Sequence, residues 1–551
     1  MFNKCLKYLV LFVILESLTP HTGNTQIIDR DLLIEDVRQL ASILESSHPD
    51  PYIKGGGKIA FHRRLHELML SIPQDGIEKD EFQKLLSPFV AAVGDGHTRI
   101  HVEYKQGKKQ PGGIPLYFSI IGKSLYVSKV VERKHQDLMG SLLVSVENVG
   151  FKELSDRVGK LRGTDNEYGK LTLLAGEKFL WYESPLAELL PEWRKGDITV
   201  ELKLPNGKIK NISFSIPFEL NEPLIGVQSL IELPSTKNCE FAYDFLDEKR
   251  KTAILKVDGM GGFRENFELV GLDGEFSLNG ARYFYQRYNE EDPPDDKPAL
   301  INGIPSATET FKSLVTQMKR HGTETLMIDI RENGGGNSAL VNILTYYLYG
   351  IDSLISLQTK RSGFEIIKYS DLYFDQVEDA KKGTNHIGIE LGNRDYWFEE
   401  LYELDRFEYS NIQKVHDEFY EKMPTFYDEY KSKTYSNFYL PKNIIVLCSA
   451  KTYSSGYTMM KVLNELGATV IGAPSSQNEN APGWILNFEL KNSETRGWVA
   501  CKYYASFSDR IVDEVYQVDN ELTYDKLKEY NFDPNSEILF ALDLLNDEPA
   551  E

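Results

Sequence analysis

The chain has 551 residues, 41% hydrophobic and 26% charged, which is ample material for a buried core. Its formal net charge of −21 disfavours nucleic acid and anionic membranes as partners. The length allows roughly two to four domains of about 100–200 residues each, and no collagen-like, Pro-rich or repeated segment stands out.

Lys4 and Lys7 precede an unbroken apolar run over residues 9–15 and then a polar stretch. This order predicts a signal peptide over residues 1–25, and hence an exported protein of the periplasm or the extracellular space. The run is too short for a comfortable membrane span, so no stable span is expected after its removal. Cys5 lies before the run, where a lipoprotein cysteine would not stand. Of the remaining cysteines, Cys448 and Cys501 lie in apolar surroundings and read as core residues rather than a disulfide framework. No spacing resembles a metal site, and no cofactor is implied.

Residues 26–108 read as a helical domain, with helices over 31–44, 61–72 and 81–93 and Asp31 as the first cap. The last helix runs into a glycine turn at Gly94. From 109 to 220 the pattern changes to short strands at 115–121, 124–131 and 142–148, then a helix over 151–161. A hairpin over 198–216 follows, with Asn206-Gly207 as its turn. From 235 to 551 apolar strands at 253–257, 325–330, 443–448 and 468–472 alternate with helices at 307–321 and 455–466, which implies a buried α/β sheet. Residues 353–439, acidic and rich in Tyr and Phe, read as an insertion.

Three stretches can carry chemistry. Ser454 follows an apolar strand and opens a helix, where the helix amides favour an anion. A serine there suits attack on a carbonyl, with the Ser455 amide at the oxyanion, although Ser at a helix start is most often a cap. His97, on the glycine turn, can act as the base that serine requires, with His101 as a competitor. The turn Asn333-Gly334-Gly335-Gly336 can present backbone amides to an oxyanion or a phosphate, but no P-loop lysine follows it. Asp329 and Arg331 flank the turn and read as an ion pair or scaffold, not as catalytic groups.

Together these stretches resemble peptidase family S41, the C-terminal processing and tricorn-like proteases. The family's Gly-His-Thr element is similar to Gly96-His97-Thr98, and its Asp-x-Arg-x-Asn-x-Gly-Gly element to residues 329–336. Its Thr-aromatic-Ser-small-small-acid element is similar to residues 452–457, except that Tyr457 stands where an acid is usual. The resemblance implies an α+β multidomain fold: a helical N-terminal domain, a PDZ-like β module over 109–220, and an α/β catalytic domain of the ClpP/crotonase-like kind. It implies Ser454 as nucleophile, His97 as base, and the amides of Gly335 and Ser455 as the oxyanion hole. The Ser-Lys branch of the family fits poorly, because the turn at 472–478 is followed by no lysine at the expected place. The histidine-bearing branch uses a carboxylate downstream of the serine, for which Glu514 is the first choice and Asp513 the second. The expected activity is an exported serine endopeptidase acting on polypeptides held by C-terminal or extended segments. A catalytically inactive peptide-binding protein on the same fold is the alternative. An acyl-CoA enzyme is disfavoured by the signal peptide and the PDZ-like module.

Overall fold

The computed structural model describes residues 27–103, 112–194, 196–359, 363–377, 381–383, 390, 399–403, 409–432, 439–505 and 514–547. The expected signal peptide and Asp513 lie outside these residues. The chain divides into two compact units. One holds Ile231–Asn480 with Tyr504–Asn520. The other holds the described chain up to Leu230 together with Ala481–Tyr503 and the segment from Glu521 on. The range 235–551, read from the sequence as one domain with an insertion at about 353–439, has segments in both units.

The first unit is built on β1 (Phe241–Phe245), β2 (Thr252–Val257), α1 (Ala307–His321), β3 (Thr325–Asp329), α2 (Ala339–Tyr349), β4 (Asn443–Cys448), α3 (Ser455–Glu465) and β5 (Thr469–Gly472). The strands lie in the order β1-β2-β3-β4-β5, with β1 antiparallel to β2 and the others parallel. Met327 stands in register between Ile254 and Ile445. Every residue of β3 is buried, which is why Leu326, Met327 and Ile328 run apolar without a break instead of alternating. Leu255, Leu326, Val446 and Val470 form one core with Phe311 and Met318 of α1, Leu344 of α2 and Met459 of α3. The carboxyl ends of β3 and β4 carry the glycine turn and Ser454, the edge where open α/β sheets place their ligands.

The start of α1 is secured by a carboxylate that never reaches solvent. Glu265 is wholly buried and accepts hydrogen bonds from Ser306 Oγ (2.6 Å) and from the N–H groups of Ala307 (3.0 Å) and Thr308 (2.9 Å). These amides have no partner within the helix, and a negative charge there also suits the helix dipole. Glu265→Ala leaves three donors without an acceptor and is expected to cost about 3 kcal/mol or more, read as a lowered urea midpoint.

Helices Arg264–Val270, Glu275–Asn289 and Lys297–Asn302 precede α1. Within 353–439 the described residues include an antiparallel strand pair, Phe364–Lys368 with Glu399–Glu403. The tyrosines near here are core, not decoration: Phe426 meets Tyr346 and Tyr420 edge-on, with ring centroids 5.2 and 4.9 Å apart.

The second unit opens with helices Arg30–Ser47, Gly57–Ser71 and Lys79–Ala91. The first is capped by Asp29, whose carboxylate accepts the Asp31 N–H at 2.8 Å, two residues earlier than the expected Asp31. Strands Ser124–Val130, Leu142–Val146, Asp197–Lys203 and Ile209–Ser215 then follow one another in an antiparallel sheet, with Leu116–Ile121 also paired to Ser124–Val130. Helix Phe151–Leu161 turns Leu154 and Val158 into the core of this sheet. Further on, Gly497 and Trp498 pair with Ile100 and Arg99 beside the His97 turn. No single described helix is long and apolar enough to cross a membrane. Among the described residues no cluster of His, Cys, Asp or Glu is placed to hold a metal ion.

Candidate active site

The loop leaving β4 is stitched to the loop leaving β3. Thr452 Oγ1 donates to the carbonyl of Ile330 (2.9 Å), and Ser449 Oγ donates to that of Arg331 (2.5 Å). Ser454 then takes φ 54° and ψ −121°, a conformation that only glycine adopts without strain. Holding a serine there costs about 1–3 kcal/mol and requires surroundings that over-determine it. Ser454 occupies the N-cap position of α3, yet its side chain makes no capping hydrogen bond. The hydroxyl is therefore not used to finish the helix. Its placement matches a nucleophile elbow, a sharp strand-to-helix turn that lifts a serine above the sheet edge.

The glycine turn explains how that backbone is held. Gly335 has φ 110°, and a Cβ there would lie 2.7 Å from Ser454 Cβ and 3.1 Å from Ser455 N. Gly336 has φ 136° and packs on the carbonyl of Met260, where an added Cβ would come within 2.4 Å. Asn333 is the clip: Nδ2 donates to Val257 O (3.1 Å), Oδ1 accepts the Gly335 N–H (2.9 Å), and its carbonyl accepts the Tyr453 N–H (3.0 Å). Ser455 Oγ donates to Gly336 O (2.7 Å) and accepts from Ser338 Oγ (2.8 Å). The two expected oxyanion amides thus differ. That of Ser455 opens α3, whereas that of Gly335 is engaged by Asn333. Gly335→Ala would force the turn away from Ser454 and is expected to cost about 1–3 kcal/mol, measured by chemical unfolding, because overpacking is added to a positive φ.

Asp329 and Arg331 form the expected ion pair in bidentate form, with Nε–Oδ1 and Nη2–Oδ2 both at 2.8 Å. Burial opposes ionisation of Asp329, but the charge and hydrogen bonds of Arg331 outweigh it and hold the carboxyl below its ordinary range. Gln477 meets Ser454 from the turn after β5: its Oε1 accepts the Ser454 N–H at 2.7 Å. Tyr457, where an acid is usual in the family, lies on the buried side of α3 and packs edge-on against Tyr516. Glu514 has an exposed side chain, and its carbonyl accepts the Glu479 N–H at 2.9 Å.

His97 belongs to the other unit and is only 3% exposed. Its turn is organised by Asp95, a residue the sequence reading did not single out. Asp95 Oδ1 accepts the His97 N–H (2.7 Å) and lies 3.8 Å from His97 Nδ1. Asp95 Oδ2 accepts from Thr98 Oγ1 (2.6 Å) and meets His48 Nε2 at 3.3 Å. His48 Nδ1 faces the Asp50 N–H at 3.1 Å on the other side of the ring. Burial lowers the His97 pKa; Asp95 raises it in part, while Arg99 and His48 lower it further, and the balance falls below the ordinary value. A neutral imidazole near pH 7 is the form that a general base requires. His101, the competing histidine, packs edge-on against Trp498.

Residues 299–494 match the model of peptidase family S41. No curated protein sequence matches the chain. Mature CPAF complexed with lactacystin is 13% identical, the match covering 94% of this chain and 99% of that one at a TM-score of 0.52. A CPAF mutant is 12% identical, with 95% and 99% covered and a TM-score of 0.55. At such identities the likeness is one of fold. The glycine turn and Ser454 lie inside the matched segment, and His97 and Glu514 lie outside it. Residues 299–494, which hold two of the three motifs, are thus a peptidase family S41 region.

Proposed function

We propose that the protein is a serine endopeptidase with Ser454 as its nucleophile. The observation that carries this reading is the strained backbone of Ser454, whose hydroxyl is left unused by the helix it opens. In the proposed reaction Ser454 Oγ attacks a peptide carbonyl while His97 accepts its proton. The oxyanion develops at the start of α3 beside the Ser455 N–H. His97 then protonates the leaving amine, and water releases the acyl group by the same steps in reverse. Glu514 or Asp513 is the proposed carboxylate of the triad, and Asp95 is the one that organises the His97 turn. The reading extends to export through residues 1–25 and to substrate capture by a PDZ-like module over 109–220, where added C-terminal peptides should compete with substrate.

The test is cleavage of casein by the purified chain beside Ser454→Ala and His97→Ala. Cleavage by the wild type and by neither variant supports the proposal. Equal cleavage by Ser454→Ala, or none by the wild type, overturns it. Lactacystin, present in a solved structure of mature CPAF, is a compound to add to this assay, and inhibition of the wild type would support the proposal.

A further inference from the structure

The oxyanion site, as the family resemblance draws it, is one donor short. Of the two backbone amides expected to hold the charge, the Gly335 N–H already donates to Asn333 Oδ1 at 2.9 Å. Asn333 cannot turn away without cost, because its Nδ2 is bound to Val257 O and it is wholly buried. The Ser455 N–H remains. A single donor is a weak anion site, and each further preorganised donor is worth about 10²–10³-fold in rate.

Gln477 has the chemistry to complete it. Its Oε1 accepts the Ser454 N–H at 2.7 Å, and only the oxygen end of an amide can do so, which fixes the orientation of the group. Nε2, on the same carbon as that oxygen, therefore presents two N–H donors beside the nucleophile's residue, and it bonds no described residue. The residue is also held firmly. Its own N–H donates to Ser475 Oγ (3.0 Å), which in turn donates to the carbonyl of Thr452 (2.5 Å), two residues before Ser454. Ser475 and Asn478 on either side are fully buried. One turn thus braces both the elbow and the amide that leans on it.

Resting on the peptidase reading, we infer that Gln477 is a catalytic residue whose Nε2 hydrogen-bonds the oxyanion of the tetrahedral intermediate, beside the Ser455 N–H. No proton is transferred in this role. The amide stays neutral, and its hydrogen bond strengthens as the carbonyl oxygen gains charge.

Three variants separate this role from a merely structural one. Gln477→Glu keeps an acceptor for the Ser454 N–H but loses the donors. Gln477→Met fills a similar volume with neither donor nor charge. Gln477→Ala removes the side chain. Peptide hydrolysis is followed for each, with melting temperature measured in parallel. The expected result is a fall of about 10²–10³-fold in kcat for all three, with KM little changed. Gln477→Glu is expected to melt close to the wild type. A Gln477→Met enzyme with wild-type kcat overturns the inference, because the donor is then dispensable. A loss confined to Gln477→Glu also overturns it, because added charge explains that loss. A loss in KM alone assigns Gln477 to substrate binding and overturns it as well. If the wild type hydrolyses nothing, the peptidase reading falls and this inference with it. If the wild type is active and Ser454→Ala is not, only Gln477 is in question.

Discussion

Ser454→Gly is expected to be more stable than the wild-type protein and to have lost its turnover. At φ 54° and ψ −121° the serine Cβ is strained by about 1–3 kcal/mol, and glycine removes that term. Against it stands the extra freedom that glycine gives the unfolded chain, about 0.5–1 kcal/mol. No hydrogen bond is lost, because the side chain does not cap α3. The net gain is about 1 kcal/mol relative to wild type. Ser454→Ala keeps the Cβ and therefore the strain, so it should melt close to the wild type. Both variants should lose roughly 10⁶-fold in kcat, the scale on which removal of a triad nucleophile acts. Calorimetry and peptide hydrolysis on the three proteins separate the two effects. A glycine variant less stable than the alanine variant would show that the strain is not stored at this residue. Turnover that survives in either variant would remove Ser454 from the reaction. Few residues offer so direct a conflict between stability and activity, and its presence argues that the geometry is retained for function.

Much of this site was legible where one residue type has one use. Strands β3 and β4 could be read from their unbroken apolar runs because both faces of a parallel sheet are covered. The hairpin of Asp197–Lys203 and Ile209–Ser215 could be read because Asn206-Gly207 supplies the positive φ that its turn demands, with Gly207 at 85°. The two roles of glycine, by contrast, look alike in a sequence. Gly335 could offer its amide or simply lack a Cβ, and the structure shows that its amide is engaged and its bareness is what Ser454 needs. Helix Glu275–Asn289 carries a sequence signal of its own, since Ala281, Phe284 and Tyr288 stand at helical spacing. The pairing of Phe364–Lys368 with Glu399–Glu403 joins segments far apart in the chain, which periodicity cannot see. Gln477 lies in the turn that lacks a lysine, and a neutral amide carries no charge signal. Asp95 could have been found from the Asp-x-His spacing, since an aspartate commonly accepts the N–H two residues on. Its bond to His48 could not.

Asp95→Asn is expected to disable His97 without touching Ser454. The carboxylate is almost fully buried and receives the His97 N–H, Thr98 Oγ1 and His48 Nε2. Burial alone would raise its pKa, but the hydrogen bond and charge of His48, with His97 and Thr98, outweigh burial and bring it down to about 2. A folded-state pKa below the ordinary 3.8 means that ionised Asp95 stabilises the fold. That contribution, about 2 kcal/mol, is complete above the unfolded pKa and is lost as pH falls through the folded one. The wild type should therefore lose this increment between about pH 4 and pH 2, and Asp95→Asn should lack it at every pH. An asparagine must also turn an NH₂ toward one of the donors, so the variant should be less stable at neutral pH as well. The effect on rate has its own sign. Asp95 raises the His97 pKa against burial, Arg99 and His48, so its removal should move the acid limb of kcat/KM to lower pH. The plateau should fall about 10²–10⁴-fold, since the imidazole loses the group that fixes its turn. A purely structural role would lower activity in proportion to the unfolded fraction and leave the limb where it was. An unshifted limb with an intact plateau would show that Asp95 plays no part in the base, which would then rest on Glu514 or Asp513 alone.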